Sequence, residues 1–194
     1  STPTFVKLFP EASPFVVPPI SSLRGTPSTA SGAGASLTLS PPTLCPAGDF
    51  MIIVARTGYG SATYTSTTLT GWTKLVTGGP NYACSVIFYK ISTGTETAVT
   101  ITSTGQSSSV YQQPSGIWAS FKDCVGIGTS TNYFSDTAAY TTKTIAGVTG
   151  SADSLEVCVM AAGQSGSGSP TTWGVSGGSW SLESSVVNTG NFYF

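Results

Sequence analysis

The apolar and polar positions along the chain predict short β-strands. Residues 36–40 alternate Ser, Leu, Thr, Leu and Ser, which is typical of a strand with one buried face. Residues 49–56 carry an uninterrupted apolar middle of strand length, which indicates a central strand covered on both faces. Further strands are predicted at residues 97–102, 116–122, 153–162, 180–183 and 191–194.

A β-hairpin is predicted over residues 72–90. Two runs rich in aromatic, β-branched and Thr residues, 72–77 and 82–90, flank a Gly-Gly-Pro-Asn turn at residues 78–81. The second run carries adjacent apolar residues at 86–88, which favours an interior strand over a binding edge.

The fold class follows from the spacing of these elements. No window has a helical period, and turn signals separate the strands at short intervals. We therefore predict an all-β fold, an antiparallel β-sandwich that is jelly-roll-like, over residues 36–194. Its core is expected to contain aromatic side chains from several strands: Trp72, Trp118, Phe121 and Trp180.

Residues 1–35 differ from the rest and predict an extended, Pro-rich N-terminal arm. Prolines recur too often for helix or ladder pairing, at positions 3, 10, 14, 18, 19 and 27. Residues 28–34 are small and of low complexity, which indicates a hinge between arm and domain.

The arm also has more apolar side chains than a solvated linker carries. We predict that it binds another surface, either its own domain or a neighbouring subunit, with a flexible tail as the alternative. The candidate partner-binding residues are Phe5, Val6, Leu8, Phe15, Val16, Val17 and Ile20.

Composition limits the partners. Charged residues make up 8% of the chain and the net charge is −1, so hydroxyl groups must cover much of the surface. The Lys and Arg residues are spread singly, which argues against a nucleic-acid partner. No apolar run approaches the roughly 20 residues that cross a bilayer, and no signal peptide is recognisable, so membrane insertion is not expected. Such a surface suits a protein in an assembly or outside a cell.

Most catalytic and metal chemistry is disfavoured. The chain has no His and no CxxC pair, so we expect no zinc site, no cofactor, and no Ser-His-Asp or Cys-His catalysis. Asp153 and Glu156 lie three apart on a predicted strand and so face opposite sides, unlike a glycosidase pair. The sequence does not exclude a catalytic Ser-Lys pair, although no lysine lies in an SxxK motif. We therefore do not expect the protein to be an enzyme.

The cysteines are predicted to be reduced thiols, since two of them lie in apolar strand patterns. Their even number also permits two disulfides, which is the alternative. They are Cys45, Cys84, Cys124 and Cys158.

Carbohydrate binding is the competing function, because β-sandwich modules often bind sugars through exposed aromatic rings. Aromatic residues in or beside predicted loops are the candidates, and packing over the end of the domain is the competing interpretation of each. They are Tyr59, Tyr64, Tyr133, Phe134, Tyr140 and Trp173.

Five short motifs follow one another between residues 36 and 182. They are Leu37-Thr38-Leu39, Ala47-Gly48-Asp49 before an apolar strand, Gly71-Trp72-Thr73-Lys74-Leu75, Val86-Ile87-Phe88-Tyr89-Lys90 and Ile117-Trp118-Ala119-Ser120-Phe121. This order resembles a β-sandwich module of tailed-bacteriophage virion proteins and related bacterial surface proteins. The resemblance implies a jelly-roll-like virion structural component, of the capsid-decoration or tail-fibre type, without catalytic residues.

The sequence thus predicts a non-enzymatic virion structural protein of a tailed phage, attached to the capsid or a tail appendage through its N-terminal arm. The expected partners are other virion proteins, copies of itself and a host surface glycan. The protein would be assembled in the host bacterial cytoplasm and be extracellular as part of the particle. The alternative is a carbohydrate-binding module that mediates adhesion to a cell surface.

Overall fold

The structure is a computed structural model that describes part of the chain. The described residues are 21–32, 35–56, 63–64, 69–77, 85–104, 114–127, 158–161, 182–186 and 190–193. For residues 63–64, 76–77, 85, 158–161, 182–186 and 190–193 only the backbone is described. Every regular element in these residues is a β-strand and every strand pair is antiparallel, which confirms the predicted all-β class.

The strands are, in chain order, β1 (Ser22–Leu23), β2 (Ser28–Ser31), β3 (Ser36–Leu39), β4 (Phe50–Arg56), β5 (Thr63–Tyr64), β6 (Thr73–Thr77), β7 (Ser85–Ile91), β8 (Val99–Thr104), β9 (Ser115–Lys122), β10 (Cys158–Ala161), β11 (Leu182–Val186) and β12 (Gly190–Tyr193). The main sheet has the order β1-β9-β4-β7-β6, with β2 also paired to β9. Two smaller sheets have the orders β3-β8-β5 and β10-β12-β11.

Strand β4 lies in the middle of the main sheet. It pairs with β7 from Phe50↔Ile91 to Arg56↔Ser85, and with β9 from Phe50↔Phe121 to Arg56↔Ser115. Every residue of β4 is buried, so the predicted central strand is confirmed. Consecutive apolar residues are needed here because neighbouring side chains of a strand point to opposite faces, and both faces are covered.

The two strands of the predicted hairpin pair as β6 and β7, and β7 is the interior strand of the two. The predicted turn at residues 78–81 lies outside the described residues. The register of the pair shifts between Lys74 and Val76, which marks a β-bulge at Leu75.

One face of the main sheet shares a core with the sheet β3-β8-β5. Leu37 and Leu39 of β3 and Ile101 of β8 are fully buried, and they cluster with side chains from β4, β7 and β9. The members of this first core are Leu37, Leu39, Met51, Ile53, Ala55, Val86, Phe88, Ile101 and Trp118. Trp72 is half-buried and packs against it.

The opposite face of the main sheet carries a second core. Its buried members are Phe50, Ile52, Val54, Ile117, Ala119 and Phe121. The two aromatic residues of β9 that were predicted to be in the core are buried, Trp118 in the first core and Phe121 in the second. Their separation by three positions places them on opposite faces.

The outer face of β3 and β8 is made of hydroxyl side chains. Ser36 and Thr38 alternate with the buried leucines of β3, and Thr100, Thr102 and Thr104 are exposed on β8. The hydroxyls of Thr38 and Thr100 lie 3.0 Å apart across the two strands. This face has the predicted alternation and carries no charge.

The first described residues form the outer strand beside β9. Strand β1 pairs Ser22 with Lys122, β2 pairs Ser28 with Trp118, and between them the Arg24 amide donates to the Ser120 carbonyl at 2.7 Å. Ser28–Ser31 were predicted to belong to a hinge, but they form β2 instead. Ladder hydrogen bonds use the main chain, so small side chains do not prevent pairing.

Gly116 of β9 provides a stability test, since a Cβ there would lie 2.8 Å from the Val54 carbonyl oxygen and 2.9 Å from Leu37 Cδ2. We expect Gly116→Ala to lower the free energy of unfolding by about 1–3 kcal/mol, because β4 and the Leu37 side chain of β3 must move away from the added methyl group on β9. Gly126→Ala is the matched control, as nothing lies within 4 Å of that Cβ position. Urea unfolding of both variants is the measurement, and equal midpoints would contradict the close packing.

Candidate functional site

Nearly all of the site residues predicted from the sequence lie outside the described residues. These are the arm residues Phe5, Val6, Leu8, Phe15, Val16, Val17 and Ile20, and the aromatic candidates Tyr59, Tyr133, Phe134, Tyr140 and Trp173. Tyr64 lies in β5, where its backbone pairs with Ser103. Their roles in partner or glycan binding stay predictions.

The described part of the chain begins at Ser21, near the end of the main sheet at which β4 begins and β7 and β9 finish. Residues 21–32, which were predicted to belong to the arm and hinge, pair with β9 of this sheet. We call this end of the sheet the arm end, and it comprises the described residues 21–24, 41–50, 90–98 and 120–127. Ser21 is fixed here, because its hydroxyl donates to the Asp123 carbonyl at 2.7 Å.

A charged cluster around Asp49 lies at this end of the main sheet. Arg24 donates from Nε and Nη2 to the two carboxylate oxygens of Asp49, at 2.7 and 2.8 Å, and Ser120 Oγ donates to Asp49 Oδ2 at 3.1 Å. The Asp49 side chain is 5% exposed and that of Arg24 33%. Two parallel N–H···O bonds to one carboxylate are among the strongest polar contacts that proteins make. The cluster therefore joins the outer strand, β4 and β9 at one point.

Local backbone geometry holds Asp49 in place. Gly48 has φ +92°, a conformation that residues with a Cβ rarely adopt, and its amide donates to the Ser92 carbonyl at 2.9 Å. The Asp49 amide donates to Pro46, and the Asp49 carbonyl accepts from the Ser92 amide at 2.7 Å. The Ala-Gly-Asp motif thus forms the tight turn into β4.

A second polar network closes the loop after β7. Glu96 Oε1 accepts from the Thr93 amide and the Thr93 hydroxyl, both at 2.8 Å, and Glu96 Oε2 lies 2.6 Å from Lys90 Nζ. The Lys90 ammonium group also lies 5.3 Å from the centre of the Trp72 ring, a cation–π distance. Trp72 in turn meets Trp118 edge to face, with ring centres 5.2 Å apart. This network links the arm end to the first core.

The pKa of Glu96 is lowered by this network. Burial alone raises that pKa, but the hydrogen bonds from Lys90 and from both Thr93 donors, with the Lys90 charge, outweigh it. The Glu96 carboxylate therefore stabilises the fold at pH values above 4.5, the ordinary pKa of a glutamate. This stabilisation is lost as the pH falls below 4.5 and through the lower pKa of the folded chain.

The described residues hold little reactive chemistry. Cys45 and Cys124 are free thiols. Burial raises the pKa of the Cys45 thiol, and the nearby Glu96 and Asp49 carboxylates raise it further, so the nucleophilic thiolate is disfavoured. No group of His, Cys, Asp or Glu that could hold a metal ion occurs within the described ranges.

Sequence reasoning did not identify the two charge pairs of the arm end. Arg24 and Asp49 are 25 residues apart, and neither belongs to a known catalytic or ligand motif. Lys90 and Glu96 are closer, but their pairing depends on the turn that Glu96 makes with Thr93. The one available signal was a lone acidic residue immediately before the most apolar strand, where burial makes a partner necessary.

Asp49→Asn tests the importance of the cluster, since it keeps the shape but places an amide against the donors of Arg24. We expect a loss of about 1.5–3 kcal/mol in the free energy of unfolding, the range for hydrogen bonds to charged groups. Asp123→Asn makes the same change in charge at an exposed position of the same end and should have little effect. Urea unfolding measures the free energy of unfolding of both variants. Equal losses in the two variants would show that the bonds between Arg24 and Asp49 give no specific stabilisation.

The Glu96 network predicts a pH dependence. Wild-type protein should exceed Glu96→Gln in stability at about pH 6, and the difference should shrink towards about pH 3, because only the wild-type carboxylate becomes protonated in that range. Thermal unfolding of both proteins over this pH range is the measurement. A difference that does not change with pH would show that the Glu96 charge has no part in it.

Comparison with known proteins gives the chain no family. No family model matches it, and neither a curated protein nor a solved structure does. Among the described residues there is no helix with the length and apolar content that crossing a membrane requires. A functional interpretation therefore depends on the quoted motifs, the composition and the geometry of the arm end.

Proposed function

We propose that the protein is a non-enzymatic structural component of a tailed-phage virion, which decorates the capsid or a tail appendage and is held there by its N-terminal arm. The part of the arm that makes the contact is residues 1–20, which precede the outer strand. The partners are other virion proteins and copies of this chain.

The observation that carries this proposal is the way the chain is fastened where the arm begins. From Ser21 to Gly32 the backbone follows β9, through β1, the Arg24 amide, β2 and a bond from the Gly32 amide to Pro114. The Arg24 side chain adds the bidentate bond to buried Asp49. A segment that attaches a domain to a particle must be firmly joined to the core, and these bonds support that role for residues 21–32.

The finer architecture in this proposal is a jelly-roll-like β-sandwich. It is supported by the first core, in which side chains of β3 and β8 pack against those of β4, β7 and β9. Two sheets that share a core in this way are the basis of sandwich architectures.

The chemistry of the arm end favours a structural role over catalysis. Asp49 is held by Arg24 and Ser120, and Glu96 by Lys90 and Thr93, so these bonds give both carboxylates a role in holding the fold together. The uncharged hydroxyl face of β3 and β8 and the net charge of −1 both permit close packing in a crowded particle.

A chain that begins at Ser21 tests the arm, because it keeps β1, Arg24 and β2. We expect this variant to unfold at nearly the wild-type temperature but to fail to join particles that lack the protein. Removing residues 1–30 is a poorer test, since it also deletes Arg24 and most of β2. Co-sedimentation with particles is the measurement, and undiminished incorporation would disprove attachment by the arm.

Full-length Phe5→Ser with Phe15→Ser is the companion variant. If these rings are buried on a partner, each contributes about 1.5–3 kcal/mol, so incorporation should fall by at least tenfold. Thr4→Ala with Ser13→Ala is the control within the same segment. Loss of incorporation in the control as well would indicate that the arm does not act through its apolar side chains.

A further inference from the structure

The second core is covered unevenly across the main sheet. Its side chains lie in three rows that the strand register defines, and in each row the exposed fraction rises from β9 and β4 to β7. In the row nearest the arm end, Phe121 is 1% exposed, Phe50 6% and Ile91 45%. The second core is therefore closed over β9 and β4 and open over β7. The three rows are Phe121-Phe50-Ile91, Ala119-Ile52-Tyr89 and Ile117-Val54-Ile87.

The open side forms one continuous surface, which we call the β7 strip and define as Ile87, Tyr89 and Ile91. Alternate residues of a strand share a face, so all three lie on the side of the second core. Ile87 and Tyr89 pack against that core, and the Tyr89 ring stacks on Phe50 with ring centres 5.8 Å apart. Ile91 pairs with the same Phe50. The strip is about 13 Å long, four steps along a strand.

The chemistry of the β7 strip suits an apolar segment that contains proline. A partly exposed aromatic ring among apolar side chains is the kind of surface that binds proline-rich segments in the polyproline II conformation. Such a segment has no internal hydrogen bonds, so its carbonyls need donors. Tyr89 and the exposed Thr73, which pairs with it on β6, each carry a hydroxyl that can donate. The strip itself has no charged residue, so it offers a charged ligand no ion pair.

Residues 15–20 of this chain have the matching composition and length. Their sequence is Phe-Val-Val-Pro-Pro-Ile, and no charged residue occurs between Glu11 and Arg24. In the polyproline II conformation, five steps of about 3.1 Å give a segment about 16 Å long, close to the length of the strip. The two prolines have no amide hydrogen, which favours binding to the face of a sheet over pairing with its edge.

The direction of the chain favours the strip of another copy over its own. Strand β1 runs inward from the arm end, so the residues before Ser21 leave the sheet beyond that end. The β7 strip lies three strand positions away from β1, about 14 Å across the sheet. Pro18 and Pro19 restrict residues 17–19 to extended conformations. These conformations carry the arm away from its own sheet and do not reverse it over the strip.

We propose that residues 15–20 of one copy bind to the β7 strip of a neighbouring copy. This inference rests on the proposed function of the arm and names the part of the arm that binds a second copy. Residues 1–14, with Phe5, Val6 and Leu8, then remain for other virion proteins. Because two different surfaces meet, the contact is heterologous and continues from copy to copy unless it closes into a ring.

Sedimentation velocity of the purified full-length chain, over about 1–500 µM, tests the contact without any other virion protein. The small surface predicts weak self-association, with a Kd of about 10⁻⁵–10⁻⁴ M. Phe15→Ser with Val17→Ser changes the arm, and Ile91→Asp places in the strip a charge that the apolar arm cannot pair. Each variant should raise the Kd at least tenfold.

An equimolar mixture of the two variants distinguishes this contact from any other self-association. The arm variant keeps an intact strip and the Ile91→Asp variant keeps an intact arm. The mixture should therefore form dimers at concentrations at which each variant alone is monomeric, and it should form no larger species. Leu44→Ser is the control, because Leu44 is 53% exposed and lies beside Gly25 of the outer strand, away from β7. It should leave the Kd within about twofold of the wild-type value.

A wild-type chain that is monomeric throughout the concentration range overturns the proposal. So does an arm variant that associates like wild type, a result that holds even if Ile91→Asp does not fold, because the arm variant leaves residues 21–194 unchanged. A mixture of two folded variants that do not associate, with folding checked by circular dichroism, also contradicts it. None of these results changes the experiment with particles, which measures attachment of the arm to other virion proteins.

Discussion

The bidentate bond between Arg24 and Asp49 fixes the path of the chain. A buried carboxylate at the start of β4 needs a partner, because an uncompensated charge in the interior is costly. Arg24 meets that need from the outer strand, and its side chain adds a second link to the backbone pairing of this strand with β9. The turn at Gly48 supports this contact, because its backbone hydrogen bonds to Ser92 and Pro46 fix Asp49 at the start of β4.

The double burial of β4 explains why the fold is built in layers. Alternate side chains of one strand enter the first and the second core, so the main sheet must be covered on both faces. The sheet β3-β8-β5 covers one of them and turns a hydroxyl face outward. A chain with few charges can thus remain well hydrated on that face, because threonine and serine hydroxyls replace the usual ionised groups.

Strand identity could be predicted from local pattern, whereas the arm end could not. The apolar run of β4 and the alternation of β3 are periodicities that each strand carries within itself, and Trp118 and Phe121 follow from their place in β9. The bond from Arg24 to Asp49 joins residues 25 apart and has no local signature. The residues of β2 were predicted as a hinge because small side chains give no apolar pattern, while the main-chain ladder that orders them depends on β9.

The break in the outer strand has a consequence for crowded assemblies. Gly25, with φ +64°, and the buried Pro27 interrupt the strand between β1 and β2, and proline has no amide hydrogen to offer. An unbroken outer strand would present a row of amides and carbonyls on which another chain could extend the sheet. With this interruption, that edge of the main sheet offers no continuous row of backbone groups, so the pairing of a second chain along it is disfavoured.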